Sequence, residues 1–212
     1  CRGDGIPIAF PNDLALGRKG EIYFSDTSNK ALDRLALDLL ESRGRGRLIK
    51  YEPKSNKSTV LMQGLHFANG VAISKDMSKI YVAETSRNRI ISLNLNTGER
   101  VVLIDDLPGY PDGISQRDGV VWIALVDKRS KMLDGFSRWP LVRKALARMP
   151  AFLVPYPPMQ ARIMGISESG RILRDFNDPE GVSFRRPSSV LIWNDHLFVG
   201  SLVESGFGII KL

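Results

Sequence analysis

Three short runs in this chain repeat one pattern, and that repetition limits the possible folds more than any other feature. "AFPNDLALG" (residues 9–17), "LHFANGVAIS" (65–74) and "GYPDGISQR" (109–117) each set a small or cyclic residue before an Asn or Asp. A polar or Gly position follows, and then apolar residues. Each run opens a longer unit. The strand "DLALG", "GVAIS" or "GISQR" leads through a turn to an aromatic-bearing strand, "EIYFSD", "KIYVAE" or "VVWIAL". A third strand such as "GRLIKYEP" or "NRIISLNLN" and a fourth such as "STVLMQG" or "RVVLIDD" complete the unit. A further unit begins near Ser188, with "HLFVGS" as its aromatic strand and "GFGIIKL" after it.

Strands rich in Val, Ile, Tyr, Phe and Trp, separated by loops such as "EPKSNKS", "SKDMSK" and "NTGE", are the mark of antiparallel sheet. Asn12 and Asn69 lie 57 residues apart and Asn69 and Asp112 lie 43 apart, an insertion in the first unit accounting for the difference. Four-stranded units recurring every ~40–45 residues predict an all-β chain folded as a β-propeller, one blade per unit. The expected arrangement is about four blades in a single domain over residues 1–212. The innermost strand of each blade lines a central channel, so Asn12, Asn69 and Asp112 are expected to converge although they are far apart in sequence. Two readings of them stand side by side at this point: backbone-bonding turn residues at blade entries, or ligands aimed at one point.

Two segments depart from the repeat. Residues 31–43 place Leu32, Leu35, Ala36, Leu39 and Leu40 at helical spacing inside the first unit. Residues 136–149 set Trp139, Val142, Leu146 and Met149 against Arg138, Arg143, Lys144 and Arg148, a basic amphipathic helix with Pro140 in its first turn. That helix is expected to cap the channel mouth, to lie on a membrane surface through Trp139, Leu141 and Leu146, or to pack on the propeller with a solvated basic side.

Charge bears on partners. The formal net charge is +7, but seven basic residues from Lys128 to Arg148 face only Asp134, so the excess belongs to one segment and the remainder is nearly neutral. Without aromatics interleaved on a broad positive surface, no nucleic-acid partner is expected. No apolar run reaches the ~20 residues that span a bilayer, so no anchor is expected within this chain. The start "CRGDGIPIAFPN" has no apolar signal-peptide core. The single cysteine, Cys1, leaves no internal disulfide and no cysteine metal site.

The run "GRLIKYEPKSNKSTVLMQGLHFANGVAISKDMSKIYVAETSRNRI" followed by "LPGYPDGIS" closely resembles the strictosidine synthase-like proteins, and in particular their adipocyte plasma membrane-associated branch. The likeness extends from about Phe10 to Leu212 and includes "DGFSRWPLVRKAL" and "DPEG". It implies a six-bladed propeller of which this chain would be the C-terminal two-thirds, N-terminally incomplete. It also implies membrane anchorage or passage through the secretory pathway. The trio "PND … FANG … D" is similar to that of the paraoxonases and gluconolactonase-like proteins, whose matching positions bind a catalytic divalent cation. Carried over, Asn12, Asn69 and Asp112 are the metal ligands, and the cation is Ca2+ or another divalent ion. A further acidic ligand of the family would precede residue 1, and an Asn that paraoxonases carry after the Asp is Gly113 here.

Calcium takes six to eight hard oxygens, which amide carbonyls, carboxylates and water provide. The absence of His or Cys at ligand spacing argues against zinc. The resemblance therefore implies a calcium-dependent hydrolase of the arylesterase or lactonase type acting on a small ester or lactone. Asp13, beside Asn12, is the candidate general base or supporting carboxylate. Glu84 is expected to have a channel-facing structural role, His66 to approach the channel mouth, and His196 to lie in a surface turn. No Ser-His-Asp or Cys-His set can be assembled. Two alternatives accompany this reading. One is a non-catalytic propeller scaffold. The other is a condensing lyase, for which strictosidine synthase uses a Glu that falls at or near Ser188 and Ser189, where this chain has no carboxylate.

Overall fold

The computed structural model describes residues 2–3, 5–29, 38–39, 41–130 and 159–212. A short hairpin of β1 (Arg2–Gly3) and β2 (Ile6–Pro7) comes first. Four antiparallel sheets follow, each built from consecutive strands. Blade I contains β3 (Pro11–Leu16), β4 (Ile22–Asp26), β5 (Gly46–Glu52) and β6 (Lys57–Leu65). Blade II contains β7 (Ala68–Ile73), β8 (Lys79–Glu84), β9 (Arg89–Asn94) and β10 (Arg100–Ile104). Blade III contains β11 (Gly109–Arg117), β12 (Val120–Lys128), β13 (Met159–Ser167) and β14 (Ile172–Asp178). Blade IV has three strands among the described residues, β15 (Pro187–Trp193), β16 (His196–Ser201) and β17 (Gly208–Lys211). The expected propeller of about four blades is the observed architecture, and its strands coincide with the repeat read from sequence.

The hydrophobic core is three layers, each trapped between two blades, and the second strand of a blade feeds two of them. In β8, Ile80 and Val82 pack with Tyr23, Leu48 and Met62 of blade I. Tyr81 and Ala83 turn the other way, towards Ile123, Leu125 and Met164 of blade III. In β12, Val121, Ile123 and Leu125 face blade II, whereas Trp122 and Ala124 meet Val190, Leu197 and Val199 of blade IV. A strand covered on both faces cannot alternate apolar with polar residues. That is why "KIYVAE" and "VVWIAL" are nearly continuous apolar runs.

The turns are chemically specified. The hairpin between β11 and β12 turns through Asp118 and Gly119, with φ of 53° and 79°. Left-handed backbone at both central positions is the condition for the tight turn that matches strand twist.

The insert expected near residues 31–43 is described only in part, with helical backbone at Asp38, Leu39 and Glu41. The basic helix expected at 136–149 lies outside the described residues. No helix among the described residues is long and apolar enough to cross a membrane.

Candidate metal and substrate channel

The inner strands β3, β7, β11 and β15 pack side by side in chain order. Together they line a cavity of about 490 Å³ whose walls include Asn12, Asp13, Asn69, Asp112, Ser115 and Ser188. All three expected ligands therefore reach one cavity, each from a different blade. Ser188 joins them from the fourth.

How the chain delivers them differs from the turn suggested by sequence. In every blade the pairing of first and second strands breaks at the same place. The register shifts between Pro11 and Leu14, between Ala68 and Val71, between Pro111 and Ile114, and between Pro187 and Ser189. Asn12, Asn69, Asp112 and Ser188 lie in those four irregularities. They are residues inside the inner strand, not at a turn before it. A β-bulge takes a residue out of the ladder and re-aims its side chain. The four-fold repetition of the bulge is what points the four side chains at one space.

In blades I to III the residue after the channel-facing one has its own recurrent task, which is to face the next inner strand. A Cβ on Gly70 would stand 2.4 Å from the Asp112 carbonyl oxygen and 2.5 Å from the Ile114 nitrogen. One on Gly113 would stand 2.6 Å from the Ser188 carbonyl oxygen. Glycine is required at both positions because neighbouring backbones approach too closely for any side chain. Blade I carries Asp13 at this place, and it bridges to the neighbour: Oδ2 accepts the Val71 N–H at 2.8 Å while Oδ1 accepts the Leu14 N–H at 2.8 Å.

Burial sets the electrostatics. Asp112 is pushed up to about 7 by burial, with nearby Asp13 and Asp127 adding to the effect. A hydrogen bond from Asn69 and the charge of Arg186 oppose it. Burial also raises the Asp13 carboxyl, against the two N–H groups that stabilise its anion. Two carboxyl groups thus share a partly desolvated wall, and neither forms a salt bridge among the described residues. Negative charge held in this way favours a cation.

Asn69 is buried, and its Nδ2 donates to Thr85 Oγ1 at 3.3 Å. Thr85 Oγ1 donates in turn to the Pro111 carbonyl oxygen at 2.7 Å. The donor set of the wall is all hard oxygen: two amides, a carboxylate and a serine hydroxyl. Those atoms fit calcium-like ions and not zinc. Among the described residues no three His, Cys, Asp or Glu side chains gather as a metal cluster. A site built on asparagine amides has to be found from the strand geometry.

Glu84 and the two histidines lie away from the channel wall. Glu84 is fully buried at the end of β8, where Oε1 accepts the His66 N–H at 2.7 Å and Oε2 accepts the Arg89 Nε–H at 2.5 Å. This is a structural latch on the segment entering β7: the structural role is as expected, but the side chain does not line the channel, because its oxygens are turned to His66 and Arg89. Asp26 occupies the matching register position in blade I, accepting the Phe10 N–H at 2.8 Å and pairing with the Arg47 guanidinium. His66 does not line the cavity. Its Nδ1 donates to the Ser42 carbonyl oxygen at 2.8 Å, and burial together with Arg87 holds the imidazole below its ordinary value. His196 opens β16, paired in register with Trp193 and Lys211. Ser188 and Ser189, where a condensing lyase would carry its Glu, both line the cavity. Sequence reading alone did not single out Thr85 or the Asp127–Arg186 pair, in which Arg186 meets both carboxylate oxygens at 3.0 and 2.8 Å. The only signal for Thr85 was the recurrence of an acid followed by Thr at the ends of "FSDT" and "VAET".

Comparison with known proteins agrees with this architecture. A family model described as strictosidine synthase matches residues 12–98. Strictosidine synthase-like protein 10 of Arabidopsis thaliana is 36% identical over 225 aligned residues, covering 99% of this chain and 59% of that protein. The adipocyte plasma membrane-associated protein of Salmo salar is 32% identical over 209 residues, covering 93% of this chain and 50% of that protein. The chain thus spans between half and three-fifths of the length of these relatives. Among solved structures, a gluconolactonase from Xanthomonas campestris superimposes with a TM-score of 0.66 at 18% identity, covering 99% of this chain and 59% of that one. Regucalcin from Agrobacterium tumefaciens, described as a calcium-binding protein, superimposes with a TM-score of 0.59 at 16% identity, covering 92% of this chain and 55% of that one. At these identities the two structures establish the shared propeller fold alone.

Proposed function

Over the length it shares with them, the chain is a relative of the strictosidine synthase-like and adipocyte plasma membrane-associated proteins, and from that premise we propose that it is a divalent-cation-dependent hydrolase of small esters or lactones. The observation that carries the reading is the convergence of Asn12, Asn69 and Asp112, through three matching bulges, on one cavity. The calcium-binding and gluconolactonase descriptions of two proteins with this fold support the choice of cation and of substrate class.

In this reading Asn12 and Asn69 would hold the ion through amide oxygens and Asp112 through its carboxylate. Bound calcium would supply Lewis-acid polarisation of an ester carbonyl. The chain does the rest. Asp13 retains lone pairs beyond the two that hold Val71 and Leu14, and its raised carboxyl suits removal of a proton from the attacking water. The backbone contacts of Gly70 and Gly113 keep the inner strands too close for side chains, which leaves the cavity to the polar spokes and the substrate. The condensing-lyase alternative lacks an acid at Ser188 and Ser189, so hydrolysis is the reaction we favour.

The test is calcium titration by calorimetry and by melting temperature, with phenyl acetate and a δ-lactone as substrates. Calcium is expected to bind and to support turnover, and Asp112→Asn and Asn69→Ala are each expected to lose both. A protein that hydrolyses neither substrate, and whose melting temperature ignores calcium and chelator, sinks the proposal and leaves the non-catalytic scaffold.

A further inference from the structure

An amide ligand poses a problem that a carboxylate does not. Its two ends are similar in shape but opposite in polarity, and only the oxygen binds a cation. Something must decide which end faces the channel.

For Asn69 the structure contains the deciding element. Thr85 Oγ1 lies 2.7 Å from the Pro111 carbonyl oxygen, which can only accept, so the single hydroxyl proton is committed there. Towards Asn69, at 3.3 Å, the same oxygen can act only as acceptor. It therefore requires the NH2 end of the amide. With Nδ2 held by Thr85, Oδ1 is the end left to the channel. The conclusion follows from the count of protons and does not depend on distinguishing N from O by position.

The register shows where else this device occurs. In each blade the residue before the channel-facing side chain pairs with a residue of the second strand, and the position after that partner marks one place in the fold. Ala68 pairs with Glu84, followed by Thr85; Pro11 pairs with Asp26, followed by Thr27. Pro111 pairs with Leu125, followed by Val126; Pro187 pairs with Ser201, followed by Leu202. A threonine stands in the two blades whose channel residue is Asn. An apolar residue stands in the two whose channel residue is Asp or Ser. Thr27 is fully buried, and its Oγ1 has no hydrogen-bond partner among the described residues. A buried hydroxyl left alone costs about 1–3 kcal/mol, and the amide of Asn12, which holds in blade I the bulge position that Asn69 holds in blade II, is the group that would relieve it.

We infer that Thr27 and Thr85 are positioning residues that orient the Asn12 and Asn69 amides so that their oxygens face a channel-bound cation, an inference that rests on the metal reading above. Asp112 has two equivalent oxygens and needs no such partner, which accounts for Val126 behind it.

The experiment uses calcium alone, titrated by calorimetry into the metal-free protein, together with the side-chain amide NMR resonances of Asn69. Thr85→Val is expected to weaken calcium at least tenfold, within the ~10–100-fold range for partners that orient metal ligands. Thr85→Ser, which keeps the oxygen and its proton, is expected to restore affinity to within about threefold of wild type on the same scale. Thr27→Val, where no existing bond is lost, is expected to weaken calcium without lowering the melting temperature, and Val126→Thr to change nothing. In metal-free protein the Asn69 amide protons are expected to move and exchange faster in Thr85→Val, but not in Thr85→Ser. If wild type binds no calcium the metal reading falls by itself, and the amide resonances then judge the orientation. Unchanged resonances in Thr85→Val, or undiminished calcium affinity in both valine variants, overturn the inference.

Discussion

Gly70 shows how a single atom can be decisive at the residue scale. A methyl group there meets the Asp112 oxygen at 2.4 Å and the Ile114 nitrogen at 2.5 Å, and both are backbone atoms that cannot rotate aside. Gly70→Ala is therefore expected to destabilise the fold by about 1–3 kcal/mol, the usual cost of forced overpacking, and to push β7 away from β11. Denaturant unfolding reads the first effect, and loss of calcium binding with normal secondary structure reads the second. A destabilisation below about 0.5 kcal/mol, the level of an innocuous surface change, would refute the close-approach argument. "FANG" was legible in sequence as a polar residue placed before a buried strand. The need for its glycine was not, because the colliding atoms lie more than forty residues downstream.

Elements show a different division. The second strand of each blade, "EIYFSD", "KIYVAE", "VVWIAL" and "HLFVGS", was readable as strand from its β-branched and aromatic content, and β4, β8, β12 and β16 confirm it. What sequence cannot display is that one strand serves two core layers at once. Ile123 illustrates the consequence. It is fully buried between blades II and III, in close-packed surroundings that cannot collapse around a missing group. Ile123→Ala is expected to cost about 2–5 kcal/mol, read as a lower denaturation midpoint with an unchanged denaturant dependence. An outcome under ~1 kcal/mol would mean that the layer between those blades contributes little. The bulges belong to this scale too. A turn residue and a bulge residue look alike in sequence, since both favour Asn, Asp and Gly, and only strand pairing separates them.

Over the whole molecule, three blades contribute the expected ligands, so under the proposed function cation binding would be a contact between blades as well as a local event. Calcium is expected to raise the melting temperature of the entire chain. The shift should depend on pH in a definite direction. The Asp112 carboxyl is pushed up to about 7 by burial, above its ordinary value near 3.8. Its ionised form therefore weighs against the cation-free fold, by an amount that grows as pH rises through that interval and is complete above about 7. A bound cation offsets that cost, so the calcium-induced shift should be larger at pH 8 than at pH 6. Equal shifts at the two values would detach Asp112 from the site. The ends of the arc carry a second signature of scale: Leu14 and Leu16 in β3, and Leu191 and Trp193 in β15, remain more than half exposed.

By itself the sequence determined the repeat, the class of fold, the number of units and the three side chains that meet. Those are properties of local composition and period, written into each unit separately. The tertiary structure alone decided that the meeting occurs through bulges, that Ser188 joins as the fourth side chain, and that Asp13 ties β3 to β7. It alone set Thr85 behind Asn69 and glycines where backbones touch. Each of these is a relation between residues of different strands or blades. Contact distances and committed protons across such pairs have no counterpart in a one-dimensional pattern.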